Sequence, residues 1–302
     1  MKNWLMAIFV VLLTPLAGCK QEGKNTVIYP SGEDIHFKVM SFNVLFGGTA
    51  GGDSLAQTVA VIEAAGADIV AIQEHVINGP AIAKALGWDL VYFGVDNAIV
   101  SRYNIVEKLS NGVVIEFNEG HQIALFDVHL APYPYGPYDL RDNPNLTAEE
   151  LISSAQGARG ERISKYITDA QSYISNGTPV FFVGDFNEPS HLDWTESTVA
   201  AGIRPLAVQW PTSTAVANAG FTDIYRTVYS DPVTHTGYTW TPKPSENEVH
   251  DRIDFIYMNA AQVSINSVSL VGPGDGVADI IVEPYPSDHR GVVADLTLSV
   301  EE

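Results

Sequence analysis

The sequence predicts an α/β protein of the α+β type, built from stacked β-sheets with helices on their outer faces. Short runs rich in apolar, β-branched and aromatic residues alternate with turns along the whole chain, which is typical of strands. Two capping boxes precede stretches with helical features. Because each half of the chain combines helix with several strands, we expect sheets packed face to face beneath a covering of helices.

The first half of the chain mixes one predicted helix with several predicted strands. Ser54 and Gln57 form the first capping box, and Gly66 ends the helix that follows it. The runs that we predict to be strands in this half are short and apolar, and they cover residues 36–44, 68–73, 98–101, 113–117 and 122–129.

The second half begins with a segment that we predict to be an irregular loop rich in aromatic residues, over 131–145. Thr147 and Glu150 form the second capping box, so a helix starts there, and a longer helix is predicted over 160–175. The predicted strands of this half cover residues 179–184, 252–258, 263–270 and 291–299.

Composition limits the class of protein. The 302 residues, 46% of them apolar, suffice for one large domain with a sizeable core, although length alone would also allow two domains. The net charge of −20 weighs against a protein that holds nucleic acid through a basic face. A nuclease is not excluded, because some of the acidic residues could be metal ligands whose charge a bound cation offsets.

The amino terminus predicts export and lipidation. Residues 1–18 contain one Lys and an apolar run from Trp4 to Leu13, which is too short to span a bilayer and resembles a signal peptide. The following LAGC resembles the lipobox of bacterial lipoproteins, so cleavage after Gly18 would leave Cys19 as a lipidated terminus; the alternative is an ordinary signal peptide with a chance cysteine. We expect residues 19–34 to be a tether and 35–302 to be the domain.

This prediction places the protein in the bacterial cell envelope, anchored to a membrane by its lipid and facing the periplasm or the exterior. Cys19 is the sole cysteine of the sequence, so the chain has no internal disulfide and no other thiol for nucleophilic or zinc-thiolate chemistry.

Polar residues follow several apolar runs at the points where strands are expected to end. These residues are Asn43, Glu74, the pair Asp185 and Asn187, the pair Asp288 and His289, and His129. Burying an unpaired carboxylate costs free energy, so carboxylates at the ends of core strands indicate a functional role. Oxygen ligands suit a hard cation such as Mg²⁺ or Ca²⁺, and the two histidines titrate near neutral pH.

Eight segments taken together resemble the endonuclease/exonuclease/phosphatase family, over about residues 36–300. They are MSFNV (40–44), IVAIQEH (69–75), IVSRYNI (99–105), FDVHLAPY (126–133), FFVGDFNEPS (181–190), GYTWTP (237–242), DRIDFIY (251–257) and PSDHRGVV (286–293). The resemblance implies a four-layer α/β/β/α sandwich of two mixed sheets with the active site at one edge. It also implies a metal-dependent hydrolase that acts on phosphoric ester bonds.

The resemblance assigns the metal ligands by position. Glu74 would be the principal ligand, and Asn43 and Asp288 would lie beside it and help to hold the cation, partly through water. The implied cofactor is Mg²⁺, with Mn²⁺ or Ca²⁺ as alternatives.

The resemblance also assigns the catalytic residues. Asp185 would orient and deprotonate the attacking water, or contact a second metal, and Asn187 would hold a phosphate oxygen. His289 would bind the phosphate or act as the general base, with Asp254 fixing its tautomer. His129 would contact the phosphate and could protonate the leaving oxygen. The choice of base between Asp185 and His289 stays open.

Two further sets of residues remain alternatives or candidates. Asp251 could replace Asp254 as the partner of His289, because a register shift of one residue reverses the faces of a strand. Candidate substrate-binding residues in or after the aromatic segment are Tyr133, Tyr138, Arg141 and Arg162, which could stack on or clamp a substrate.

We therefore expect a phosphodiesterase that acts outside the cytoplasm on a nucleotide-like, sugar-phosphate or phospholipid substrate. Its partners would be that substrate and the membrane, without tight binding of duplex nucleic acid, and a monomer is expected. The alternative within the same class is an extracellular nuclease. The alternative of another class is a non-catalytic surface binding module on the same fold, which the presence of every acid and base residue disfavours.

Overall fold

Two mixed sheets face each other at the centre of the structure, a computed structural model that describes residues 32–49, 54–118, 120–243 and 247–300. The predicted signal peptide, Cys19 and most of the predicted tether lie outside the described residues. The strands are β1 Ile35–Asn43, β2 Ile69–Gln73, β3 Asp89–Phe93, β4 Asn97–Ser101, β5 Asn104–Lys108, β6 Gly112–Asn118, β7 His121–His129, β8 Val180–Asp185, β9 Thr222–Asp223, β10 Asp254–Asn259, β11 Val263–Gly272, β12 Ile280–Ile281 and β13 Gly291–Leu298.

The first sheet has the strand order β12-β11-β13-β1-β2-β4-β3, and the second has the order β5-β6-β7-β8-β10-β9. Each sheet contains a central parallel pair, β1 with β2 and β7 with β8, among antiparallel neighbours. The helices are α1 Leu45–Gly48, α2 Leu55–Ala65, α3 Gly79–Leu86, α4 Gly136–Asp142, α5 Ala148–Ser175, α6 Glu196–Ala200, α7 Pro211–Asn218 and α8 Ile224–Val228.

The apolar side chains of each central strand alternate between two cores, as the pleat of a strand requires. In β1, Phe37 and Val39 enter the core between the sheets, whereas Met40 and Phe42 pack beneath α2 and α3. On the second sheet, β8 likewise contributes to the central core and to a core beneath α5 and α7. The predicted four-layer α/β/β/α sandwich is therefore confirmed.

The structure corrects the sequence prediction in two places. Residues 131–145 are not wholly irregular, because α4 lies within them with a proline at its start, a position that helices favour. The two helical stretches predicted after Thr147 are one continuous helix of 28 residues, α5, which opens with the predicted capping box. Among the described residues, no helix combines the length and hydropathy that a membrane-spanning helix needs.

Candidate active site

The polar residues selected from the sequence meet at one edge of the sandwich. The parallel strands of both sheets end there, and Asn43 at the end of β1 donates to Asp185 Oδ2 at the end of β8 at 3.1 Å. The antiparallel strands β10 and β13 begin at the same edge. The residues brought together, in the cavity or in contact with its walls, are Asn43, Glu74, His129, Asp185, Asn187, Asp254, Asp288 and His289.

Two of these residues have a backbone conformation that is unfavourable for any side chain with a Cβ atom. The φ angle is +58° at Glu74 and +50° at Asn187. The turn at Glu74 is enforced by two hydrogen bonds, since Phe46 N donates to Glu74 Oε2 at 3.1 Å and Gly47 N donates to the Glu74 carbonyl at 2.7 Å. Backbone strain of this kind clusters at functional sites.

His289 forms a buried pair with Asp254. Its Nδ1 lies 2.9 Å from Asp254 Oδ2, so the structure places Asp254, and not Asp251, beside the imidazole. Burial alone disfavours the charged ring, but the carboxylates of Asp254 and Asp185 outweigh burial and raise the pKa of His289 to about 10. The ring is therefore protonated at neutral pH, with Nδ1 committed to Asp254 and Nε2 available as a donor.

His129 forms a second, similar pair with a residue that the sequence did not reveal. Its Nδ1 lies 2.9 Å from both carboxylate oxygens of Asp96, in the turn between β3 and β4. Burial opposes the charge, but the hydrogen bond to Asp96 and the charge of Asp185 raise the pKa of His129 to about 9. Asp96 has the sequence signature of an ordinary turn residue, and no spacing in the sequence relates it to His129.

Asp185 lies between the two histidines. Its Oδ2 is 3.7 Å from His129 Nε2 and 3.8 Å from His289 Nε2, while its Oδ1 accepts from Asn187 N at 2.8 Å. Burial and the charge of Asp254 raise the pKa of Asp185 to about 6, although both histidines act in the opposite direction. A carboxylate with this pKa can accept a proton near neutral pH. The arrangement therefore offers two imidazolium donors around one carboxylate acceptor.

The cavity that these groups share has a volume of about 290 Å³ and an aromatic wall. Phe46 and Tyr133 line it while remaining 68% and 69% exposed, so both rings are free to contact a substrate. Tyr138 also lines it and is fixed from both sides, because its hydroxyl donates to Glu248 Oε1 at 2.7 Å and accepts from Trp240 Nε1 at 3.1 Å. Among the described lining residues there is no Lys or Arg.

The structure does not bring the candidate arginines into this cavity. Arg141 pairs with Asp142 and lies 4.5 Å over the Tyr138 ring, where it lines a neighbouring cavity. Arg162 donates to Asn111 Oδ1 at 2.8 Å, away from the lining. Of the four substrate-binding candidates, the structure therefore places Tyr133 and Tyr138 against the cavity and leaves the two arginines outside it.

Comparison with known proteins identifies the family. The sequence model described as the endonuclease/exonuclease/phosphatase family matches residues 40–289. The chain belongs to this family. Members of the family are hydrolases that act on phosphoester bonds and depend on a divalent metal, so this chain is an enzyme of that class.

Individual relatives are more distant. A Caenorhabditis elegans protein, F14F9.5, is 27% identical over an alignment of 289 residues that covers 86% of this chain and 91% of the relative. An endonuclease/exonuclease/phosphatase from Beutenbergia cavernae superposes with a TM-score of 0.56 at 16% identity, covering 87% of this chain and 72% of that one. TDP2 from D. rerio, solved with a single-strand DNA product, has a TM-score of 0.55 at 17% identity and covers 86% and 98%. These structural likenesses establish the fold.

The residues present fit the divalent metal that the family requires. Glu74 and Asp288 line the same cavity, and Asp288 Oδ1 is buried without a hydrogen-bond partner among the described residues. Burial raises the pKa of Asp288, and the nearby charge of Glu74 adds to the increase. Two carboxylates beside one cavity, one of them with an unsatisfied oxygen, form a donor set suited to a hard cation.

Asn43 contributes to this set differently from the sequence expectation. Its Oδ1 accepts from Leu45 N at 3.0 Å, so its amide nitrogen faces Glu74 Oε1 at 3.2 Å and Asp185 Oδ2. Reversing the amide would set its NH₂ against the Leu45 donor. In this orientation Asn43 holds two carboxylates in place and offers no ligand oxygen.

A second group could also hold a metal ion. The potential ligand atoms of Asp185, Asp254 and His289 lie within 4.8 Å of one another. The nitrogen of His289 that faces Asp254 is already occupied by its hydrogen bond to that carboxylate. We therefore regard Glu74 and Asp288 as the better donors for a first cation.

Proposed function

We propose that this enzyme hydrolyses a small phosphodiester, nucleotide-like, sugar-phosphate or phospholipid, outside the cytoplasm. The observation that carries the proposal is the cavity itself, in which two imidazolium donors surround Asp185 beside an aromatic wall whose described residues include no Lys or Arg. A diester brings a single negative charge, which these donors and one cation can offset. A phosphomonoester or a polyanion would need further cationic groups.

The positions of the side chains give each residue of the site a separate role in hydrolysis. Asp185 would accept the proton of the attacking water, since its Oδ1 is fixed by Asn187 N and its Oδ2 faces both imidazoles. His289, held by Asp254, would donate through Nε2 to a non-bridging phosphate oxygen. His129, held by Asp96, would donate to the leaving oxygen. We therefore favour Asp185 over His289 as the base.

A divalent cation held by Glu74 and Asp288 would supply the Lewis acidity that offsets charge on the phosphate. Asn187 lines the cavity, but its amide donates to the Leu130 carbonyl at 3.0 Å. It would therefore hold a phosphate oxygen through its remaining donor hydrogen.

The aromatic wall would select the rest of the substrate. Phe46 and Tyr133 expose apolar surface beside the charged groups, which suits a flat or apolar substituent on the phosphate. The buried Arg159 holds the backbone of this wall in place. It donates to the carbonyls of Pro132 at 3.3 Å and Pro134 at 2.8 Å, the residues on either side of Tyr133.

The test compares substrates with the chain lacking residues 1–19, which precede every described element. In the presence of Mg²⁺, we expect kcat/KM for bis-p-nitrophenyl phosphate to exceed that for p-nitrophenyl phosphate and for plasmid DNA. Tyr133→Ala and Phe46→Ala should raise KM, whereas Ile281→Ala, an equally exposed apolar residue on β12, should not. Efficient nicking of plasmid DNA at moderate salt would instead favour an extracellular nuclease.

We propose further that the enzyme is a lipid-anchored monomer of the bacterial cell envelope that faces the periplasm or the exterior. The LAGC stretch that ends at Cys19 after an apolar run supports this location. The acidic composition and the absence of Lys and Arg from the described lining support weak binding of duplex nucleic acid.

A further inference from the structure

A buried carboxyl group connects the two sheets next to the active site and has no part in the chemistry proposed above. Asp127 lies on β7, two residues before His129, and Gln73 ends β2, immediately before Glu74. Both side chains are fully buried. Gln73 Nε2 donates to Asp127 Oδ1 at 2.7 Å, which is a side-chain hydrogen bond from one sheet to the other.

The second oxygen of each side chain requires an explanation. Asp127 Oδ2 and Gln73 Oε1 are both buried, and neither has a hydrogen-bond partner among the described residues. If Asp127 were ionised, both atoms would be acceptors without a donor, which is strongly unfavourable in an apolar interior. A proton on Asp127 Oδ2 would give both oxygens a hydrogen-bond partner. The protonated Oδ2 would then donate to Gln73 Oε1, while Gln73 Nε2 donates to Asp127 Oδ1.

We propose that Asp127 is protonated in the folded protein and forms a cyclic acid–amide pair with Gln73 that positions Glu74 and His129. The pair joins the ends of β2 and β7. Gln73 immediately precedes Glu74, and Asp127 lies two residues before His129. A small displacement of either strand would therefore move a group that acts on the substrate.

The surroundings of Asp127 favour the neutral form. Burial raises its pKa to about 8, against the side-chain hydrogen bonds of Gln73 and Asn97 and the charge of the His129 imidazole. The other charged group that acts on it, Asp96 from the β3–β4 turn, raises the pKa further. From α5, the Tyr166 hydroxyl donates to the main-chain carbonyl of Asp127 at 3.0 Å and not to its carboxyl group.

The substitution Asp127→Asn tests the proposal, because an amide reproduces both hydrogen bonds without an ionisable group. We expect this variant to retain the wild-type kcat/KM for bis-p-nitrophenyl phosphate near pH 7. Asp127→Leu, which keeps the branched shape of the side chain and removes the pair, should lower kcat by about 10²-fold through misplacement of the two groups. Loss of activity in Asp127→Asn comparable to that in Asp127→Leu would overturn the proposal.

Stability gives a readout that is independent of activity. The folded pKa lies above the unfolded one, so the stability that the protonated pair contributes is complete below about pH 4 and is lost as pH rises through about 8. The melting temperature of Asp127→Asn relative to wild type should therefore rise from pH 5 to 8 and then level off. A difference that does not depend on pH would contradict a neutral Asp127.

A matched control and a spectroscopic measurement complete the test. Asp193 is equally buried but accepts from Arg226 and Arg252, which lower its pKa despite burial. Asp193→Asn should therefore lower the melting temperature at pH 7, opposite to Asp127→Asn. The infrared difference spectrum of wild type minus Asp127→Asn at pH 7 should contain the carbonyl stretch of a protonated carboxylic acid, and a carboxylate band in its place would refute the proposal.

Discussion

Replacing Asp254 by Asn should disable the enzyme without unfolding it. The carboxylate lies 2.9 Å from His289 Nδ1, and its backbone N–H is held by Thr239 Oγ1 at 3.1 Å. An amide at this position has nearly the same shape, so the packing should survive. It cannot stabilise the protonated ring as a carboxylate does, and it permits the wrong tautomer.

The size of the effect follows from the pKa of His289. That pKa is about 10 against an ordinary value of 6.5, which at about 1.4 kcal/mol for each pH unit corresponds to roughly 5 kcal/mol in favour of the imidazolium. Asp254 is the largest of the groups that raise this pKa. Removing this carboxylate should lower kcat by about 10²-fold, and a tautomer error could increase the loss to about 10⁴-fold.

The assay is kcat/KM for bis-p-nitrophenyl phosphate with Mg²⁺, measured together with the melting temperature. Asp251→Asn is the matched control, because Asp251 is fully buried but bonds to Tyr135, Trp194 and Arg204 and not to His289. This control should lose roughly 3–5 kcal/mol of stability by leaving Arg204 unpaired, with a smaller effect on kcat. Two results would contradict this prediction. One is turnover by Asp254→Asn as fast as that of wild type. The other is an equal loss of kcat in Asp251→Asn with an unchanged melting temperature.

Three further results are expected. Glu74→Ala should abolish both turnover and the thermal stabilisation by Mg²⁺, because it removes a carboxylate of the proposed cation site; an unchanged Mg²⁺ dependence would contradict this assignment. Wild-type stability should fall as the pH drops below about 4, since Asp193 has a lowered folded pKa and its contribution disappears on protonation; Asp193→Asn should flatten this part of the curve of melting temperature against pH. Cys19→Ser should move the protein from the membrane fraction to the soluble fraction, and unchanged fractionation would exclude lipidation as the anchor.

The fold could be predicted because the pattern of the central elements is unambiguous. The core strands β1, β2, β7 and β8 are long or mostly apolar, and both long helices open with capping boxes that the structure contains. The edge strands β3 and β5 were missed because their side chains are mostly exposed or half-buried, so they lack a continuous apolar run. The helix α4 was missed because its glycine, proline and aspartates are also typical of turns.

The candidate site could be predicted only in part. The resemblance identified residues that the structure gathers at one edge, but it could not show whether the oxygen or the nitrogen of the Asn43 amide faces the carboxylates of the site. The orientation of Asn43 depends on a backbone donor two residues away, Leu45 N. The partner of His129 is likewise set by the turn between β3 and β4, which places Asp96 Oδ1 2.9 Å from His129 Nδ1. Contacts of this kind arise from tertiary packing and leave no periodic signal in the sequence.

The distribution of arginine supports the proposal that this acidic protein binds a single phosphodiester group and not a polyanion. Five of its eight arginines are buried, and each lies beside a carboxylate: Arg159 by Glu188, Arg204 by Asp251, Arg226 and Arg252 by Asp193, and Arg290 by Asp275. These cations stabilise the loops around the site and cannot neutralise phosphates at the surface. Affinity for duplex DNA depends on such neutralisation, at one charge per roughly 1.7 Å of helix. Within the described lining of the cavity, the positive charge comes from His129, His289 and the proposed cation, which matches the single phosphodiester group of the proposed substrate.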